Sequence, residues 1–89
     1  MIVNKKAYVV WRPKNGKVVF LGEELDSQDM LGESWESESI DDSRIYFDKD
    51  IAQDTADWEN KYGDIRLYIR RGQETEDNLW RVKEFEIKF

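Results

Sequence analysis

Asn15-Gly16 lies between two runs rich in β-branched and aromatic residues, Ala7–Trp11 and Val18–Leu21, and constrains the fold more than any other stretch. Both turn residues tolerate positive φ, as a two-residue type I′ hairpin turn requires. Tyr, Val and Trp suit a pleated surface, so the flanking runs read as strands around a Pro13–Lys17 turn, closed by Gly22. A two-residue loop sets Trp11 opposite Phe20 and Val10 opposite Leu21. Both faces of the hairpin then carry apolar side chains, and both are expected to touch something.

Charge divides the chain as sharply as the turn does. Residues 22–64 carry fifteen carboxylates against Arg44, Lys49 and Lys61, a local balance of −12. The first 21 residues carry five cations and no acid, residues 65–89 are near balance, and the total is −6. An acidic chain is a poor ligand for phosphate backbones, which favour a positive surface, so direct nucleic-acid binding is not expected. Eighty-nine residues make a single domain, 1–89, that buries roughly 60–65% of its unfolded surface. Four Trp, four Tyr and four Phe give that core its bulk.

The remaining elements follow from spacing. Residues 22–43 are acidic and serine-rich without a clean apolar period, with a short strand around Ser34–Glu38 in which Trp35 dips inward. Arg44–Phe47 reads as a short strand. Asp48–Tyr62 is the one main helix, capped by Asp48 or by Asp50 with Gln53 and ended by Gly63. Ile51, Thr55, Trp58 and Tyr62 share a helical face, taken as the buried one. Asp64–Arg71 alternates Ile65, Leu67 and Ile69 with Arg66, Tyr68 and Arg70, a strand pattern, with Arg66 and Arg70 positioned to stack on Trp80. Leu79–Phe89 is the last strand, and its change of apolar parity suggests a bulge near Lys83–Glu84. The expected fold is α+β: a mostly antiparallel sheet of four to five strands with the 48–62 helix packed on one face.

Tyr8-Val9-Val10, Phe20-Leu21-Gly22, Trp35 and the run Ile40-Asp41-Asp42-Ser43-Arg44-Ile45-Tyr46-Phe47-Asp48 before a helix together carry a resemblance. The pattern resembles small phage and prophage proteins built from a tyrosine-valine hairpin, a tryptophan, an aspartate–arginine–hydrophobic–phenylalanine strand and a helix. The resemblance spans Tyr8 to Ile69 and implies phage origin and this fold. It transfers no functional residue, and the long acidic stretch between Gly22 and Trp35 departs from it.

Several chemistries are disfavoured by composition. With no Cys and no His, disulfides, Cys/His zinc sites and His-based nucleophile activation are ruled out. Asp48-Lys49-Asp50 opens like a calcium loop, but Ala52 and Gln53 stand where a ligand and a glycine are needed. No phosphate-binding glycine loop is present. The chain is therefore not expected to be an enzyme or to hold a cofactor. The N-terminus shows no signal-peptide pattern and no run reaches membrane-spanning length, so a cytoplasmic protein is expected, in the bacterial host if phage-encoded.

What remains is surface. Asp50, Asp54 and Asp57 recur at spacings of four and three, so they line one helical face, read as lying opposite Ile51, Trp58 and Tyr62. Glu33, Glu36, Glu38, Asp41 and Asp42 could extend that row. Carboxylates spaced ~5–6 Å apart at Cβ imitate the backbone charge of a nucleic acid. The expected function is protein binding: an acidic, DNA-mimic-like face that blocks a basic nucleic-acid-handling protein of a host defence or nucleic-acid enzyme. A toxin-neutralising immunity-type protein and an accessory phage protein without inhibitory activity are the alternatives, and a homodimer is compatible with all three. The cations Lys5, Lys6, Arg12, Lys14 and Lys17 are expected mainly to pair with the acidic segment inside the fold.

Overall fold

The computed structural model describes residues 4–24 and 33–88. Leu25, Met30 and Leu31 of the acidic segment lie outside the described residues. Four strands form one antiparallel sheet: β1 (Asn4–Lys14), β2 (Lys17–Glu24), β3 (Glu33–Ser37) and β4 (Arg81–Lys88), in the order β3-β2-β1-β4. The helices α1 (Lys49–Tyr62) and α2 (Asp64–Arg70) follow β3, and α1 packs on β1 and β4. The chain is a single α+β domain.

The hairpin forms as its turn residues dictate. Asn15 (φ 51°) and Gly16 (φ 77°) take the left-handed region, and the ladder runs up to Lys14↔Lys17 with Trp11 opposite Phe20. Below that point β2 gives way to another neighbour. Tyr46 exchanges two backbone hydrogen bonds with Tyr8 at 2.7 and 2.8 Å, and the Arg44 amide donates to the Leu21 carbonyl at 3.2 Å. The expected Arg44–Phe47 strand is thus reduced to one bridge.

Strand alternation sends Tyr8, Val10 and Arg12 of β1 toward the helices, with Val19 and Leu21 of β2. These residues meet Tyr46, Ala52, Ala56, Ile65 and Trp80 in the core. Each of the Val, Leu and Ile side chains, fully buried, contributes on the order of 1.5–3 kcal/mol. The other face carries Val9, Trp11, Phe20, Lys83 and Phe85; Val9 is buried, the three aromatic residues are half-buried, Ile40 lines it, and among the described residues no α-helix packs on it. Both faces of the hairpin are apolar, as expected, but among the described residues only one is covered by the α-helices.

Three expectations are overturned. Residues 64–71 are not a strand: Asp64–Arg70 is α2. Ile65 and Ile69 stand four apart as well as sharing a strand parity, and the helix buries Ile65, half-buries Ile69 and leaves Leu67 exposed. The bulge near Lys83–Glu84 does not form, because β4 pairs with β1 without interruption from Asn4↔Lys88 to Trp11↔Arg81. The parity change arises because Val82 packs toward the helices while Phe85 and Ile87 occupy the open face.

The third correction concerns α1, which is rotated from its expected position. Its buried residues are Ala52, Ala56 and Glu59, not Ile51, Trp58 and Tyr62. Alanines at i and i+4 let the helix backbone approach the sheet closely, where Tyr8, Val10 and Trp80 already fill the space. Asp48 is the N-cap: its Oδ1 accepts from the amides of Asp50 (2.8 Å) and Ile51 (3.3 Å). The helix stops at Gly63, where a Cβ would meet the Glu59 carbonyl oxygen at 2.7 Å. Arg66 donates its Nε to the Asn60 carbonyl at 2.9 Å, satisfying one acceptor of the last turn.

Candidate functional site

Rotation of α1 changes its solvent face. Ile51, Trp58 and Tyr62 are each more than half exposed, as is Phe47 just before the helix. The Trp58 and Tyr62 rings lie 5.5 Å apart at 52°, and Lys61 Nζ stands 5.2 Å from the Tyr62 ring centre. A cleft of about 350 Å³ lined by Arg44, Ile45, Tyr46, Phe47, Asp48 and Ile51 opens at the N-terminal end of the stripe.

Asp50, Asp54 and Asp57 are all exposed. At 3.6 residues per turn their row runs about a quarter turn from the Ile51–Trp58–Tyr62 stripe, not opposite it. Among the described residues none of the three carboxylates is in an ion pair; Asp57 accepts from Gln53 Nε2 at 3.0 Å. Among the described residues the three exposed charges thus have no ion-pair partner, and they stand beside an apolar stripe.

The rest of the expected row is placed elsewhere. Glu36, on β3, turns into the fold: its Oε1 accepts from Arg12 Nε (3.1 Å) and Nη2 (2.7 Å), and its Oε2 pairs with Lys14 Nζ at 3.0 Å. Burial acts to raise the Glu36 carboxyl, but the bonds from Arg12 and Lys14 together outweigh it and hold the group below its ordinary value. Glu38 pairs with Lys17 at 3.3 Å. Asp41 is exposed in a short 3-10 turn, Ile40–Asp42, that packs against β2. The side chains of Glu33, Trp35 and Asp42 lie outside the described residues. The structure thus brings Asp50, Asp54 and Asp57 together on α1 and sets Glu36, Glu38 and Asp41 at the β3 side of the sheet.

Internal pairing of the basic residues is as expected for Arg12, Lys14 and Lys17. Arg12 is the centre of it: fully buried, it also donates Nη1 to Glu74 Oε1 at 2.8 Å and lies 5.3 Å from the Trp80 ring centre. This corrects the expected stacking of Arg66 and Arg70 on Trp80. Arg66 is held instead by Asn60 and by Glu76, at 3.0 Å.

The exposed aromatics were missed as surface residues because their spacing also fits a core face. The signal that distinguishes the two is Ala52/Ala56, a second helical face that can approach a sheet more closely. Among the described residues no group of acids is arranged to hold a metal ion, and no helix is long and apolar enough to cross a membrane. Comparison with protein-family models, curated proteins and solved structures returns no match for this chain.

Proposed function

We propose that this chain is a small protein-binding protein, phage-encoded as its sequence pattern implies, that blocks a basic nucleic-acid-handling partner with the solvent face of α1. The observation that carries this reading is the juxtaposition on one helix of Asp50, Asp54 and Asp57 with Trp58 and Tyr62, all exposed. Acids alone would serve solubility. Exposed Trp and Tyr are the residues that most often supply binding energy at interfaces, ~2 kcal/mol or more each when they fill a pocket. The carboxylates steer the encounter toward a positive groove and set its salt dependence. The apolar stripe then supplies the short-range contact that a nucleic acid itself supplies by its bases. The partner fitted by this face is a cationic groove with apolar or aromatic residues on its floor.

The test is affinity capture from a bacterial lysate at low salt, followed by elution with duplex DNA. A basic protein that is displaced by DNA, and that is not captured by the triple variant Asp50→Lys/Asp54→Lys/Asp57→Lys, supports the reading. Equal capture by the triple variant, or a partner indifferent to DNA, overturns it.

A further inference from the structure

The open face of the sheet holds a groove of about 440 Å³ lined, among the described residues, by Val9, Trp11, Val18, Phe20, Ile40, Phe85 and one charged residue, Lys83. Two more cations stand along this face: Arg81 lies 5.6 Å from the Trp11 ring centre, and Lys5 lies 4.4 Å from that of Phe47. Among the described residues the lining carries no acid.

From the charge complementarity between the two faces of this molecule we infer that the groove receives α1 of a second copy, giving a head-to-tail association. The occupant is an apolar stripe, Ile51, Trp58 and Tyr62, with an acidic row alongside it; the receiving face is an apolar groove with Lys83, Arg81 and Lys5 around it. The dimensions agree. A helix of fourteen residues is about 21 Å long, and four strands at ~4.8 Å spacing make a face of ~15–20 Å. One contact of this type covers the half-buried aromatic residues of the sheet face and the exposed ones of α1, and gives counter-charges to Asp50, Asp54 and Asp57, which form no ion pair among the described residues. Packing of two sheet faces on each other is disfavoured, because Lys83, Arg81 and Lys5 would meet their own copies. A single-stranded nucleic acid is disfavoured by the net acidity of the whole chain. The contact is heterologous, so it propagates from copy to copy rather than closing as a two-fold dimer. It goes beyond the proposed function and does not depend on it.

The experiment is sedimentation velocity of the full chain from low micromolar to about millimolar concentration, at low and at high salt. Mass should rise with concentration at low salt, with association weakened about tenfold or more at high salt. The helix-face variant Asp50→Lys/Asp54→Lys/Asp57→Lys and the sheet-face variant Lys5→Glu/Lys83→Glu change only exposed side chains, and each alone should be monomeric. An equimolar mixture should associate again, since each supplies the charge the other's face now needs. The first variant is near neutral overall and the second more acidic than the parent, so bulk attraction does not produce that recovery. A parent chain that stays monomeric throughout overturns the inference, as does a helix-face variant that still self-associates. So does a monomer that instead binds an oligonucleotide or an acidic peptide through Lys83. The sheet-face variant keeps α1 unchanged, so capture of a heterologous partner by that variant reads the proposed function separately from self-association.

Discussion

Arg12 gives two hydrogen bonds to one oxygen of Glu36, from Nε at 3.1 Å and Nη2 at 2.7 Å, and it does so with no exposed surface of its own. The pair joins β1 to β3 past the intervening β2, while Glu74 holds the other side of the same guanidinium. Removing Arg12 takes from Glu74 its ion-pair partner and leaves Glu36 with Lys14 alone. Arg12→Ala should therefore lower stability by ~3–5 kcal/mol, a large part of what a chain of this size has. Lys6→Ala, which breaks an exposed 3.9 Å pair with Glu84, should change it by less than ~0.5 kcal/mol. Urea denaturation at neutral pH decides this; comparable losses for the two would mean that Arg12 is not the anchor its burial indicates.

The same pair sets an acid limit. Glu36 is held below its ordinary value of 4.5, so the folded state binds its proton more weakly than the unfolded chain does. Its stabilising contribution is complete above the unfolded value and is lost as pH falls through the lower, folded one. Stability should be level above about pH 5 and decline below the ordinary carboxylate range near ~4.3. Glu36→Gln should be less stable at neutral pH and show a shallower decline with acid. A urea midpoint measured from neutral pH down to about pH 3 reads both, and an unchanged acid slope in the variant would assign the decline to other carboxylates.

The sequence makes some of this fold legible and conceals the rest for identifiable reasons. Asn15-Gly16 is legible because positive φ at two successive residues is a narrow requirement. Asp48 and Gly63 mark the ends of α1 because capping needs a short acceptor at one end and close approach needs a missing Cβ at the other. Tertiary choices are less visible. Ile65, Leu67 and Ile69 satisfy a strand period and Ile65/Ile69 a helical one, and seven residues are too few to decide between them. The buried face of α1 is hidden because large apolar residues dominate any count, whereas the sheet receives Ala52 and Ala56. Asp50, Asp54 and Asp57 share a face whichever side is buried, so that part of the candidate site is readable. The loss of Glu36 to Arg12 is not, because it depends on the register of β3.

The rotated α1 makes opposite predictions for its large and its small residues. Trp58 is 57% exposed and Ala56 is fully buried. Trp58→Ala should change stability by no more than ~0.5–1 kcal/mol, while Ala56→Leu should cost ~1–3 kcal/mol by forcing the helix from the sheet. Trp80→Ala, in the core, should cost ~3–5 kcal/mol. Thermal or urea unfolding of the three variants gives the ranking. A Trp58→Ala variant as damaged as Trp80→Ala would return the aromatic stripe to the core and remove the candidate binding face.

Asn60 fixes how α1 meets the last strand. Its Nδ2 donates to the Trp80 carbonyl at 3.0 Å and its Oδ1 accepts from the Trp80 amide at 2.7 Å, so one side-chain amide satisfies both backbone groups of a buried residue at the entry to β4. An aliphatic side chain would take this partner from both groups. Asn60→Ala should cost about 2–4 kcal/mol, two unsatisfied buried groups at ~1–2 kcal/mol each. Asn60→Asp keeps the acceptor and loses the donor, and it brings a carboxylate toward the Trp80 carbonyl, so it should be destabilising at neutral pH and partly recover as the acid is protonated. Amide hydrogen exchange at Trp80 reads the contact directly. Protection of that amide should fall in Asn60→Ala and persist in Asn60→Asp, and full protection in Asn60→Ala would mean that the amide is shielded by packing and not by this bond.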